Sequence, residues 1–247
     1  MAEYDNRVRS VGGTASTVAV DEGLRAYMLR VYNYMLMGLA LTGVTAWVTL
    51  NTPLGALFFS QGATGGLTLS PLGWVALFAP LGLVFFLSFR IQHMSVGTAQ
   101  AVFWGYAALN GIALSPILFL YTAASVAQVF FVTAATFGAM SLWGYTTKRD
   151  LTGLGSFLFM GLIGIIIASL VNMFLQSGTM QLVISIIGVL IFTGLTAYDT
   201  QRIKESYDVV GRDGQLASKG AIMGALSLYL DFINLFLMLL RLMGDRR

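Results

Sequence analysis

Two carboxylates stand where carboxylates are costly. Asp231 lies within AIMGALSLYLDFINLFLMLL, and Asp199 closes LVISIIGVLIFTGLTAYD. Holding a charged side chain at the centre of a bilayer costs roughly 2.5–3.5 kcal/mol on insertion scales. An acid kept there is by default a candidate for an ion or proton site with a partner in the bundle. Two carboxylates close together in low dielectric cannot both ionise freely, so the pair shares a proton. Once deprotonated, it draws a hard cation through its oxygens, or a guanidinium. Hard cations take several oxygens, so waters and carbonyls would have to complete such a site. A weak, transient site of that kind suits a conducting path better than a store.

Each residue also has a plainer reading. Asp199 precedes Arg202 by three positions and is a boundary carboxylate, solvated or paired with that arginine. Arg90 ends an apolar segment and reads as a snorkelling anchor. His93 reads as a loop residue. Asp231 is harder to explain as helix glue, because an amide or hydroxyl would do that at lower desolvation cost.

Around Asp231 the sequence forms a seam. Gly220, Gly224, Ser227, Asp231, Asn234, Met238 and Arg241 follow one another at alternating spacings of four and three. That is one stripe on one helical face. Gly220 and Gly224 let a neighbouring backbone approach, and for these two, Ser227 and Asn234 packing is the preferred role. The rest of the segment is apolar nearly all round, which predicts a central helix wrapped by the others.

The elements that position these residues follow from composition. The chain has 247 residues, 57% hydrophobic and 10% charged, with mean hydropathy +0.78. Soluble domains carry about 25% charged residues, so a lipid-facing exterior is the economical reading. Seven apolar runs are long enough to span, over approximately 28–50, 72–90, 97–119, 122–145, 154–175, 180–201 and 219–242. Pro116 and the LYTAAS stretch form the break between the third and fourth. The uncharged, Gly-rich stretch 52–71 reads as a loop dipping back into the interface. Residues 1–24 mix charges with Gly, Ser and Thr and read as a mobile tail, leaving one membrane domain over 25–244.

Lys and Arg gather before the first segment and in loops two, four and six, and are absent from loops one, three and five. The positive-inside rule therefore predicts a cytoplasmic N-terminus. Seven spans leave Arg241, Arg246 and Arg247 on the other side; six spans with a re-entrant last segment would place them inside.

Several classes of function are set aside. There is no cysteine and a single histidine, which removes thiolate clusters and the common zinc and di-iron ligand sets. No phosphate-cradling Gly-rich loop, His-Glu-x-x-His or Gly-x-Ser-x-Gly occurs, so the chain is not expected to be an enzyme or to need a cofactor. An intramembrane aspartyl protease also uses two helix-borne acids, but TAYDTQ and LYLDFI do not match its motifs. A net charge of +3 bears on membrane orientation, not on nucleic acid.

GLTAYDTQRIK (194–204) and GALSLYLDFINLFLMLLRLMG (224–244) resemble the signatures of the transmembrane Bax inhibitor motif family, the Bax inhibitor-one and YccA-like membrane proteins. The resemblance covers roughly residues 25–244. It implies an all-α membrane protein of seven transmembrane helices, in two three-helix layers around a central C-terminal helix. It also implies a pH-sensitive calcium leak. Asp199 and Asp231 would be its proton-sensing carboxyl pair and weak calcium site, and Arg90 the gate partner. The implied setting is the lipid of a bacterial inner membrane. Two other functions fit the same residues: a non-conducting regulator that holds another membrane protein, such as a membrane protease, through residues 1–24, and a proton-coupled transporter. A long loop over 202–218 leaves Asp199 shallow and Asp231 roughly ten residues, about 15 Å, deeper. Direct pairing then requires a tilted or displaced last helix.

Overall fold

The computed structural model describes residues 2–61, 67–211 and 213–246, with side chains described from Glu22 onward except 61–67 and 212. Eight α-helices run in chain order among these residues. They are α1 (Ala2–Asn51), α2 (Gly55–Phe58), α3 (Pro71–Arg90), α4 (Val96–Leu120), α5 (Ala123–Thr146), α6 (Thr152–Leu175), α7 (Gly178–Val210) and α8 (Gly214–Met243). All but α2 are long and apolar enough to cross a membrane, the first over Glu22–Asn51. The side chains of residues 1–21 lie outside the described ones, and the expectation of a separate tail over 1–24 falls largely there.

Short polar caps end the apolar stretches. Ser70, Ser95, Thr122 and Ser177 accept from backbone N–H groups in the first turns of α3, α4, α5 and α7. The side chain of Asp213 accepts from two N–H groups at the start of α8. These caps satisfy donors that a helix leaves unpaired where it begins. Pro116 sits inside α4 near its end without stopping it; the break falls at Tyr121 and Thr122. The stretch expected to dip back as a loop instead holds α2 and a two-stranded antiparallel ribbon, Phe59–Gln61 with Leu67–Leu69. A Ser60–Thr68 hydroxyl pair at 2.9 Å joins its strands.

The helices form two layers. α4 packs between α1 and α3 in one, and α7 between α5 and α6 in the other. α8 packs on α1, α4, α5 and α7, so it lies between the layers. Of its apolar stretch 67% is buried, against 17% for α6, as a central helix requires. The C-terminus is fixed at the turn between α4 and α5. Thr122 N donates to Asp245 O at 3.1 Å, Asp245 N donates to Ser125 Oγ at 2.9 Å, and Arg246 lies over the Tyr121 ring. That turn is at the end of the bundle opposite Arg90, Lys148 and Arg149. Seven crossings therefore hold, and no re-entrant segment is needed.

The largest departure from expectation is α7. It continues as helix through Val210, so the anticipated loop over 202–218 shrinks to residues 211–213. The reason is amphipathic spacing. Ile203, Ser206, Tyr207 and Val210 recur at helical intervals and turn inward, while Arg202, Glu205 and Asp208 are exposed. Tyr207 meets the Tyr27 ring at 5.4 Å, and Lys204 Nζ donates to Tyr145 O at 2.8 Å.

Candidate functional site

The length of α7 removes the depth difference between the two acids. α7 and α8 are antiparallel neighbours whose register can be read from their tightest contacts. A Cβ added to Gly224 would lie 3.1 Å from Ile203, and one added to Gly188 would lie 2.9 Å from Met238. Between these contacts α8 advances 14 residues while α7 retreats 15. Asp231, midway in α8, is thus level with about Thr196, and Asp199 is less than one turn away, roughly 4.5 Å along the axis.

Both acids line one cavity of about 990 Å³, bounded by α6, α7 and α8. It exists because α6 packs on α7 but not closely on α8. Asp231 is 5% exposed, and its Oδ2 is buried with no hydrogen-bond partner among the described residues. Buried polar atoms are nearly always paired, so this oxygen is an exception within the bundle. Arg202 Nη2 lies 3.6 Å from Asp199 Oδ1 and 3.5 Å from Ser227 Oγ. With both acids ionised, the two carboxylates and the Arg202 guanidinium sum to a single negative charge; Arg241 lines the same cavity about 15 Å further along α8.

The cavity has two ends. Arg241 lines it at the C-terminal end of α8. At the other end Arg202 and Ser227 also line a second hollow of about 250 Å³, walled by Gln92, Ser206, Lys219 and Gly220. Arg202 therefore stands between an outer hollow and the chamber holding the acids.

Of the other seam residues, Gly220 and Gly224 lie against neighbouring side chains, while Asn234 and Met238 line the cavity with the acids. Gly224 accommodates Ile203. Gly220 lies beside Tyr27 and Val210. Asn234 Nδ2 donates to Leu230 O in its own helix at 2.8 Å. Arg90 is exposed at the end of α3 and is not among the residues lining the cavity. The cation placed beside the acids is Arg202, for a simple reason: α7 stays helical past Asp199, which puts residue 202 one turn along the same face. Among the described residues no cluster of three or more His, Asp or Glu forms. A bound calcium would need hydroxyl, amide or water oxygens beside the two carboxylates.

Three polar arrangements escaped the sequence reading. The Tyr229 hydroxyl, fully buried, pairs with Thr42 Oγ1 at 2.6 Å and accepts from Asn110 Nδ2 at 2.8 Å, tying α8 to α1 and α4. Ser141 bridges Tyr32 at 2.5 Å and Thr200 at 2.9 Å, tying α5 to α1 and α7. Gln201 accepts from Leu151 N and donates to Arg149 O, both at 2.8 Å, which pins the α5–α6 turn to α7. Their only sequence signal is a polar residue in an apolar run, as at Tyr229 and Asn110; partners in distant helices leave no spacing to read.

The family described as Inhibitor of apoptosis-promoting Bax1 has a model that matches residues 24–247. The chain belongs to this family. The match takes in both acids and all seven spans but for the first two residues of the first. Among its relatives, the inner membrane protein YbhL of Escherichia coli (strain K12) is 49% identical over 94% of this chain and 97% of the relative. The uncharacterized protein RP147 of Rickettsia prowazekii (strain Madrid E) is 48% identical, covering 95% of each. The uncharacterized membrane protein SpyM3_0260 of Streptococcus pyogenes is 39% identical over 91% of this chain and 94% of the relative. This Bax inhibitor-like chain is an integral membrane protein.

Proposed function

We propose that the chain is a pH-sensitive cation leak, with calcium as the permeant ion and Asp199 and Asp231 as its proton-sensing pair. The observation that carries this reading is the convergence of Asp199, Asp231 and Arg202 on one cavity between α6, α7 and α8. A proton on the pair leaves the site neutral beside Arg202. Loss of that proton leaves one uncompensated negative charge, which a hard cation can meet through oxygen ligands. Arg202 competes with the cation for the same carboxylates. Net flux thus depends on which positive charge the pair holds, and so on pH.

The polar side chains that line the cavity, Asp199, Arg202, Ser227, Asp231, Asn234 and Arg241, support a wet path along α8. The excess of Lys and Arg at the end where α1 begins supports a cytoplasmic N-terminus in an inner membrane. Calcium-loaded liposomes containing only this chain test the reading: release above that of protein-free vesicles is expected. Tightness equal to empty vesicles, across pH, would leave a non-conducting regulator as the better account.

A further inference from the structure

A second cavity lies on the other side of α8, in the cleft where the two layers meet. α1 and α5 both pack on α8 rather than closely on each other, which leaves a groove of about 600 Å³. That is within the roughly 300–1,000 Å³ of small-molecule sites. One stripe of each helix forms its walls, at the three- and four-residue spacing of a helical face, and Phe232 of α8 contributes to its floor.

Four features say what fits it. First, the floor is buried and apolar: Met28, Met35 and Phe137 are each at most 5% exposed. Second, the rims are Leu29, Leu36 and Leu142, each more than half exposed, so the groove opens sideways toward hydrocarbon. Third, polarity is confined to one part. Arg25 and Tyr145 lie at the end where α1 enters the bundle, and the Tyr32–Ser141 hydroxyl pair follows deeper. Lys204 reaches the same end, with Nζ 5.0 Å from the Tyr145 ring centre. Fourth, from Arg25 to Leu36 the groove spans about 16 Å along α1, roughly half of a ~30 Å hydrocarbon core. That is one leaflet.

We propose that this groove is a binding site for an anionic phospholipid of the leaflet nearest Arg25, with one acyl chain along the apolar floor and the phosphate at Arg25. Charge complementarity selects the occupant: a basic mouth on an apolar slot one leaflet deep suits an anionic amphiphile. Gly138 keeps the slot open. A Cβ there would meet nothing within 4 Å, so the position faces space inside the groove.

The test uses the full chain in bilayers carrying a trace of diazirine-labelled phosphatidylglycerol, with adducts mapped by peptide mass spectrometry. Labelling is expected to concentrate on residues 25–36 of α1 and 134–145 of α5 and to fall with unlabelled phosphatidylglycerol. Gly138→Trp fills the slot and should reduce it severalfold. Gly164→Trp, on an open stretch of α6 away from the groove, should not. Arg25→Gln should remove the preference for phosphatidylglycerol over phosphatidylcholine while apolar labelling persists. Should Gly138→Trp fold poorly, Gly138→Leu serves the same comparison. Labelling spread evenly over all exposed helices, or unchanged in both Gly138 variants, would overturn the proposal, as would disulfide-linked dimers formed by Gly138→Cys in the same bilayers. None of these readouts involves ion flux, so the result stands apart from the leak.

Discussion

Asp199 Oδ1 lies 3.6 Å from Arg202 Nη2, one turn further along α7, and the same nitrogen lies 3.5 Å from Ser227 Oγ on α8. Arg202 thus reaches from its own helix to the central one, between the outer hollow and the chamber of the acids. Its side chain is 56% exposed against 14% for Asp199, so it can move into solvent while the acid cannot. Replacing Arg202 with Ala should join the two hollows and raise calcium release at neutral pH. Arg90→Ala removes a charge outside the cavity and should change flux per molecule much less. The pair of variants, compared in calcium-loaded liposomes, decides which arginine guards the acids.

The Tyr229 hydroxyl should matter to stability rather than to flux. Tyr229→Phe leaves Thr42 and Asn110 without their shared partner in a buried site. Hydrogen bonds between membrane helices are worth about 0.6–2 kcal/mol, and a loss of that order is expected. Unfolding in mixed micelles by a denaturing detergent measures it.

Gly144 and Gly138 occupy the same helix and should respond oppositely. A Cβ on Gly144 would lie 2.8 Å from Ala197 Cα, backbone that cannot rotate away, whereas one on Gly138 meets nothing within 4 Å. Gly144→Ala should force α5 from α7 and lower stability by roughly 1–3 kcal/mol, as overpacking does. Gly138→Ala should be close to neutral. The same unfolding assay separates them.

Asp150 caps the first turn of α6 from outside the span, accepting from Thr152 N at 2.8 Å. Hydrogen bonding from Thr152 holds its carboxyl below its usual value. A depressed folded-state value means that the cap is intact above the unfolded value and is lost as pH falls through the folded one. Amide hydrogen exchange at the start of α6 should therefore quicken on acidification, after correction for intrinsic rates. Asp150→Asn should flatten that pH dependence.

Much of this was legible in the chain because hydropathy and period are local properties. The seven spans, the central last helix and the seam through Asp231 all follow from apolar length and three-four spacing. What could not be read is the meeting of α7 with α8. TQRIKESYDVV looks like a loop by charge, and only its inward residues Ile203, Tyr207 and Val210, once packed on α1 and α8, reveal a helix. That error made Asp199 look shallow; Arg202, a candidate partner of Asp199 from spacing alone, was not placed with Asp231. Tyr229 with Thr42 and Asn110 joins residues far apart in sequence, which no local pattern encodes.

On the proposed function, protonation of the Asp199–Asp231 pair controls cation flux. Calcium release from liposomes should be measured over a range of pH for the unaltered chain and for Asp231→Asn, which keeps the side chain's shape but cannot ionise. The account predicts that the unaltered chain shows a pH-dependent release and that Asp231→Asn folds, inserts and loses or shifts that dependence. An Asp231→Asn profile that superimposes on the unaltered one would contradict the account and leave Asp231 as a structural residue.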